Sequence, residues 1–304
     1  MKLSTYTLKK SDKELIGLLN KDSLINLNVF FGEISLIELI QLPDWKELII
    51  KKTKSNNLTT HTLEEVKLLA PTPRPNSLRD AYAFRQHVET SRRNRGLEMI
   101  KEFDDFPVYY YSNADAVMGP GNINIDNVFM NKLDFELEVA ILIGKEGINI
   151  DCKEADSYIA GFMIMNDFSA RDLQMAEMKL NLGPAKGKDF ATTIGPFLVT
   201  PDELKNHIIP TESGNKLSLK MECFINSKKI SEDNLKNLSW TFSQIIERVS
   251  MGTRIFPGDV IGSGTCATGC FLELNQTNDA QWLKKEDIIE LKVESLGTLK
   301  NTIK

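Results

Sequence analysis

The chain has 304 residues, 41% of them apolar and 26% charged, an ordinary globular composition with enough length for a sizeable core and two domains. Its 37 basic and 42 acidic residues leave a net charge of −5, so no global basic field argues for nucleic acid or an anionic membrane as partner. No apolar run approaches the ~20 residues of a membrane span, and the first residues mix charge and polarity too closely for a signal peptide, so a cytoplasmic protein is the expectation.

Taken in chain order, residues 1–70 read as a small N-terminal domain. The pieces LSTYTL, ELIGLL and SLINLNVF are strand-like, and SLIELIQLPDWKELIIKK has the spacing of one amphipathic helix. Three prolines in APTPRPNS, residues 70–77, favour an extended connector and set a boundary near residue 70. Residues 78–101 carry helix-like spacing. If that segment is helical, Asp80 and His87 share one face about 10 Å apart along the axis. Beyond residue 105 the chain becomes a succession of short β-rich segments punctuated by glycine, among them FPVYYYS, LDFELEVAILIG, YIAGFMIMNDF, IGPFLVT, GDVIGSG and GCFLELN. Helices are brief there, as in EADSYI and SWTFSQIIERVS. The pattern predicts a mixed α/β, predominantly β domain over residues 71–304 rather than a regular βαβ alternation.

The stretch LDFELEVAILIG, residues 133–144, raises a specific question. Side chains alternate along a strand, so Glu136 and Glu138 project from one side, roughly 7 Å apart at their backbones, while Phe135, Leu137, Val139 and Ile141 project from the other. A polar face turned to water is the plain explanation; a cation held by the two carboxylates is the other. Asp167 ends an apolar run in FMIMNDFSARD, where the end of a rigid strand can present a functional group.

Candidate metal ligands narrow the choice of ion. With three histidines, four scattered cysteines and neither HExxH nor paired CxxC, spacing argues against a zinc site and against a disulfide framework. A metal here would lean on oxygen ligands and be a hard cation: Mg²⁺, Mn²⁺ or Ca²⁺. The glycine-rich GPAKGKD (183–189) and GSGTCATG (262–269) miss the spacing of phosphate-binding loops and read as tight turns.

The segments LDFELEVAILIGKEG, GFMIMNDFSARDLQ, GKDFATTIGP and PGDVIGSGT, in that order, closely resemble the fumarylacetoacetate hydrolase family from about residue 65 to the end. The resemblance implies a mostly β roll or sandwich behind a small N-terminal domain, a homodimer, and a divalent metal in a cleft. It implies Asp80, Glu136, Glu138 and Asp167 as metal ligands with Thr192 beside them. His87 would be the general base, Glu273 the carboxylate orienting it, and Lys188 a stabiliser of developing negative charge. Tyr82, Arg171, Gln174 and Thr265 match substrate-contacting positions. Two features depart from related members: Thr90 stands where smaller members place a glutamate three residues after the histidine, and Ser112 where many carry a lysine.

The resemblance implies that a small diketo acid or dicarboxylate is the substrate. Hydrolysis of a β-diketo acid is the leading expectation. Isomerisation or decarboxylation of a hydroxy-heptadienedioate or oxaloacetate-type acid uses the same enolate stabilisation and is the alternative. Taken singly, His87 reads as a structural histidine, Lys188, Arg171 and the RRNR run at 92–95 as solvated charges, Thr192 and Thr265 as turn formers, and Glu273 as the polar face of a strand.

Overall fold

The apolar runs of the sequence pair into two main sheets. A computed structural model describes residues 1–54, 57–181, 183–274 and 281–304. The larger sheet runs from Thr60–Thr62 at one edge through Ser23–Asn26, Leu15–Asn20, Lys2–Leu8, Thr192–Val199, Ile159–Asp167, Leu137–Ile143, Asp259–Gly262 and Ser77–Ala81 to Tyr109–Ser112. A second sheet orders Lys228–Asn234, Lys220–Ile225, Ile288–Val293, Gly297–Ile303 and Gly121–Ile123. The central strands are rich in Val, Ile, Leu and Met and are buried throughout, as a sheet covered on both faces requires.

Each face has its own core. Leu137, Val139 and Ile141 pack in a cluster with Met221, Leu291, Leu299 and Ile303 of the second sheet. On the opposite face Leu78, Ala140, Leu142, Met163, Met165, Ile194, Leu198 and Val260 join Leu36, Leu39, Ile40 and Ile49 from two N-terminal helices. The N-terminal segment therefore supplies a helical layer, and its first strand also pairs with Thr192–Val199 (Leu3 opposite Leu198) in the same sheet.

Local structure departs from the sequence-based expectation in four places. SLINLNVF is a strand only over Ser23–Asn26, and Asn28–Phe31 turns into a helix. The single amphipathic helix is two, Leu36–Ile40 and Trp45–Lys52, interrupted at Pro43 and by Asp44 at φ 51°. Residues 78–101 are not one helix: Ser77–Ala81 is a strand in parallel register with Asp259–Gly262, and the helix is Arg85–Arg93. Sheet pairing outweighs the helical spacing there, so Asp80 and His87 stand on different elements. Over its described residues 269–274, GCFLEL is not a strand, because Phe271–Leu274 forms a helical turn whose first amides are tied down by a carboxylate from elsewhere in the chain; Asn275 lies outside the described residues. Among the described residues no helix is long and apolar enough to cross a membrane.

Candidate active site

Strand register collects the acidic residues. Asp80 lies opposite Gly262 on one side and Tyr110 on the other, and Asp167 lies opposite Thr192. Glu138 faces Met165 across the neighbouring ladder. The period of two puts Asp80, Glu138, Asp167 and Thr192 on the face that carries Leu78, Ala140, Met165 and Ile194, so one face is apolar toward the N-terminal helices and polar at its other end. The strand breaks at Phe135 and Glu136, where the Asn166 side chain accepts the Glu136 amide at 2.9 Å in place of a ladder bond. The alternation read from the sequence survives the break. A water-facing role does not: Glu136 is 4% exposed and Glu138 fully buried.

Asp80, Glu136 and Asp167 present carboxylate oxygens within 4.8 Å of one another. Glu138 joins them through Gly264, whose amide donates to Asp80 Oδ1 at 3.0 Å and Glu138 Oε2 at 3.1 Å. Two glycines make room. A Cβ on Gly262 would stand 2.4 Å from Asp80 Oδ1, and Gly264 has φ 78° with the Ala81 carbonyl 2.5 Å from where its Cβ would be. Lys188 donates to Glu136 and, at 2.8 Å, to Asp167. Thr192 donates to Asp167 at 3.0 Å. Tyr110 donates its hydroxyl to Asp80 at 3.1 Å and to Asp167.

The electrostatics are lopsided. Burial, together with repulsion from Asp167, raises Asp80 to about 7, and burial with repulsion from Asp80 and Glu136 holds Glu138 well above the usual carboxylate range. Burial also raises Asp167 despite Lys188 beside it. Glu136 is the exception. Burial opposes its ionisation, but Lys188 and Arg171 outweigh that and bring it to about 2. Lys188 and Arg171 thus hold one carboxylate of the four ionised, and the other three, held back from ionising in an all-oxygen donor set, fit a hard divalent cation.

These groups form one end of a cavity of about 370 Å³. Asp80, Tyr82, His87, Glu136, Arg171, Gln174, Lys188 and Thr265 line it, while Glu138, Asp167, Thr192 and Glu273 lie buried behind that lining. His87, on the helix Arg85–Arg93, meets Tyr82 edge-on with ring centres 5.7 Å apart. Its Nδ1 stands 3.0 Å from Glu273 Oε2, an ion-pair distance whose angle falls outside hydrogen-bond geometry. Thr265 Oγ1 reaches Glu138 at 3.4 Å. Arg171 is buried, clamped by Asp134 and Glu136 at 2.8 Å each and by Gln174 at 2.9 Å. Neither Arg171 nor Lys188 is a solvated charge. Glu89 points away, exposed and paired with Arg85. The two glycine-rich loops are turns, and both contribute to the cavity wall through Gly183, Pro184, Lys188, Gly264 and Thr265.

Two residues with evident work in this region have no counterpart in the sequence reading. Tyr110, rather than Ser112, is the member of the aromatic strand that reaches the carboxylates. Asp134 accepts the Phe271 and Leu272 amides at 2.8 and 3.0 Å while holding Arg171, and so fixes the turn that carries Glu273. A charged residue beside the ExE pair was the only available signal for Asp134.

Residues 77–304 match the fumarylacetoacetate (FAA) hydrolase C-terminal family model. The Bos taurus mitochondrial oxaloacetate tautomerase FAHD2A is 26% identical over 291 residues, 93% of this chain and 85% of that protein. The Bacillus subtilis oxaloacetate tautomerase YisK is 28% identical over 302 residues, 97% of this chain and 91% of that protein. Among solved structures, the maleylpyruvate hydrolase of Sphingobium sp. SYK-6, in complex with manganese(II) and pyruvate, superposes with a TM-score of 0.72 at 18% identity, covering 100% of this chain and 98% of that one. With three quarters of its length spanned by that family model, the chain belongs to the fumarylacetoacetate hydrolase family.

Proposed function

We propose that the chain is a divalent-metal-dependent hydrolase that cleaves the carbon–carbon bond of a β-diketo acid of the fumarylacetoacetate or acylpyruvate kind. The observation that carries this reading is His87 lining the same cavity as the carboxylates, with Glu273 behind its Nδ1. A carboxylate facing Nδ1 keeps the proton on that nitrogen and leaves Nε2 free to accept one from water. Lys188 brings positive charge to the cavity wall, where negative charge develops as the bond breaks. Arg171, held rigid by Asp134 and Glu136, presents Gln174, and Tyr82 and Thr265 supply hydroxyls for orienting the substrate.

Asp80, Glu136, Glu138 and Asp167 would hold Mg²⁺, Mn²⁺ or Ca²⁺, with Thr192 orienting Asp167. When bound, the ion supplies Lewis-acid polarisation of adjacent substrate oxygens and offsets enolate charge. In the same reading residues 1–70 are the N-terminal domain, residues 71–304 the catalytic domain, the assembly a homodimer and the compartment the cytoplasm.

The decisive measurement is hydrolysis by Mg²⁺-loaded His87→Ala protein. Turnover falls by about 10²- to 10⁴-fold while calorimetry still registers Mg²⁺ binding; undiminished hydrolysis overturns the proposal. A second reading, oxaloacetate tautomerase, is favoured by the name carried by relatives aligned over more than nine tenths of the chain. Product NMR separates the two, since hydrolysis adds water and yields two fragments, whereas tautomerisation conserves mass.

A further inference from the structure

The sequence holds no spaced zinc motif, yet the fold assembles a donor set that spacing does not reveal. His87, Cys270 and Glu273 offer a ring nitrogen, a thiol sulfur and a carboxylate oxygen within 4.8 Å of one another. His87 is 4% exposed, Glu273 2% and Cys270 fully buried. His87 Nδ1 and both Glu273 oxygens are buried without a directional hydrogen-bond partner. Leaving several polar atoms unsatisfied in one small volume is costly, and it calls for something that satisfies them together. The catalytic reading gives His87 and Glu273 roles but leaves Cys270 with none.

We propose that His87, Cys270 and Glu273 form a second cation site, one that takes a thiophilic divalent ion such as Zn²⁺. Nitrogen, sulfur and oxygen from three side chains, with a fourth position open, are the donor set of a tetrahedral borderline-soft ion. Mg²⁺ and Ca²⁺ prefer all-oxygen surroundings, so the two neighbouring clusters sort ions by softness. His87 lines the cavity, and Cys270 and Glu273 lie buried behind it. Binding releases the thiol proton to solvent. An ion on Nδ1 also commits the remaining proton of the imidazole to Nε2, so His87 can no longer accept one from water. That consequence, inhibition of turnover by Zn²⁺, rests on the reading of His87 as general base; the site itself does not.

The test uses the Mg²⁺-saturated full chain titrated with Co²⁺, whose ligation by a thiolate gives a near-ultraviolet charge-transfer absorption. The expected result is a saturable band that Zn²⁺ bleaches and excess Mg²⁺ leaves intact. The band is absent in Cys270→Ser and retained in Cys152→Ser, a necessary control because Cys152 stands near Asp151 and Glu247. Calorimetric Zn²⁺ affinity falls at least about tenfold in Cys270→Ser and in Glu273→Gln, the second variant keeping the thiol in place. No band in the native chain, a band that survives in Cys270→Ser, or unchanged Zn²⁺ affinity in Glu273→Gln overturns the site. Because the band reads thiolate ligation directly, it stands or falls independently of whether His87→Ala abolishes hydrolysis.

Discussion

The carboxylate cluster and the His87 cluster face one cavity but are built by different means. Asp80, Glu138 and Asp167 sit on strands of one sheet at matched register, each accepting hydrogen bonds from Lys188, Tyr110, Thr192 or the Gly264 amide. His87 and Glu273 come from a helix and a helical turn joined by a few contacts, such as Asn94 Nδ2 donating to the Glu273 carbonyl at 2.9 Å, and their facing atoms are close but misaligned. The first arrangement holds charge that is short of a cation. The second holds polar atoms that are short of a partner. A cluster of the first kind is preorganised for an ion, whereas one of the second kind tightens only when something binds.

The largest effect should come from removing Lys188, the cation that Glu136 and Asp167 share. Lys188→Met leaves Glu136 and Asp167 without an ammonium, and breaking a buried pair in this way costs about 3–5 kcal/mol in urea unfolding of the metal-free protein. Added Mg²⁺ should recover part of the loss by mass action. A cost below about 1 kcal/mol would mean that the acidic cluster is not charge-frustrated.

The pH dependence sharpens the same contrast. Asp80 is raised from 3.8 to about 7, and Glu138 and Asp167 are also raised, so the folded metal-free chain binds more protons than the unfolded chain. Their stabilising contribution is complete below the ordinary carboxylate range and is lost as pH rises above it, for Asp80 up to about 7, with a slope of up to about 1.4 kcal/mol per pH unit for each proton difference. Glu136, lowered to about 2, works the other way but only below pH 4.5. Denaturation midpoints measured from pH 4 to pH 8 should therefore fall without metal and stay level in saturating Mg²⁺. A midpoint that climbs across that range without metal would refute the assignment of frustration to these carboxylates.

Glu273→Gln addresses the other cluster. It should lower kcat/KM by about 10²-fold while leaving Mg²⁺ affinity within experimental error, because Glu273 acts on the imidazole rather than on the ion. If Mg²⁺ affinity drops in parallel, the two clusters are a single unit and the comparison fails.

This difference also governs what could be read in the sequence. A period of two in LDFELEVAILIG gives the shared face of Glu136 and Glu138 without knowledge of the fold, since alternation is local. That Asp80 joins them depends on parallel pairing of Ser77–Ala81 with a strand some 180 positions later, which no local spacing encodes, and helical spacing in 78–101 points the wrong way. Helical spacing paired Asp80 with His87 on a helix that does not form, and the family resemblance gave both their roles and supplied Glu273. Cys270 and Tyr110 escaped both routes. Cys270 is three residues from Glu273 in what looks like a strand, which would send the two to opposite faces, whereas the helical turn Phe271–Leu274 brings their ligand atoms together. Tyr110 sits in a run of three tyrosines, and only register with Asp80 singles it out.

Tyr110→Phe therefore makes the finest test of how the carboxylates are held. The ring stays, so packing is preserved, while the hydroxyl that serves Asp80 and Asp167 is lost. In the metal-free chain that hydroxyl favours the ionised form of Asp167, so its removal raises Asp167 further and strengthens the proton as a competitor for the site. Supporting partners of this kind are worth about 10- to 100-fold in metal affinity, and the lower figure is expected here because Lys188 and Thr192 still serve Asp167. Proton competition gives the loss a direction: Mg²⁺ affinity measured by calorimetry should suffer most at low pH and converge on that of the native chain as pH rises. A loss that is independent of pH would instead mean that Tyr110 acts by fixing the carboxylates in place, with no bearing on their protonation.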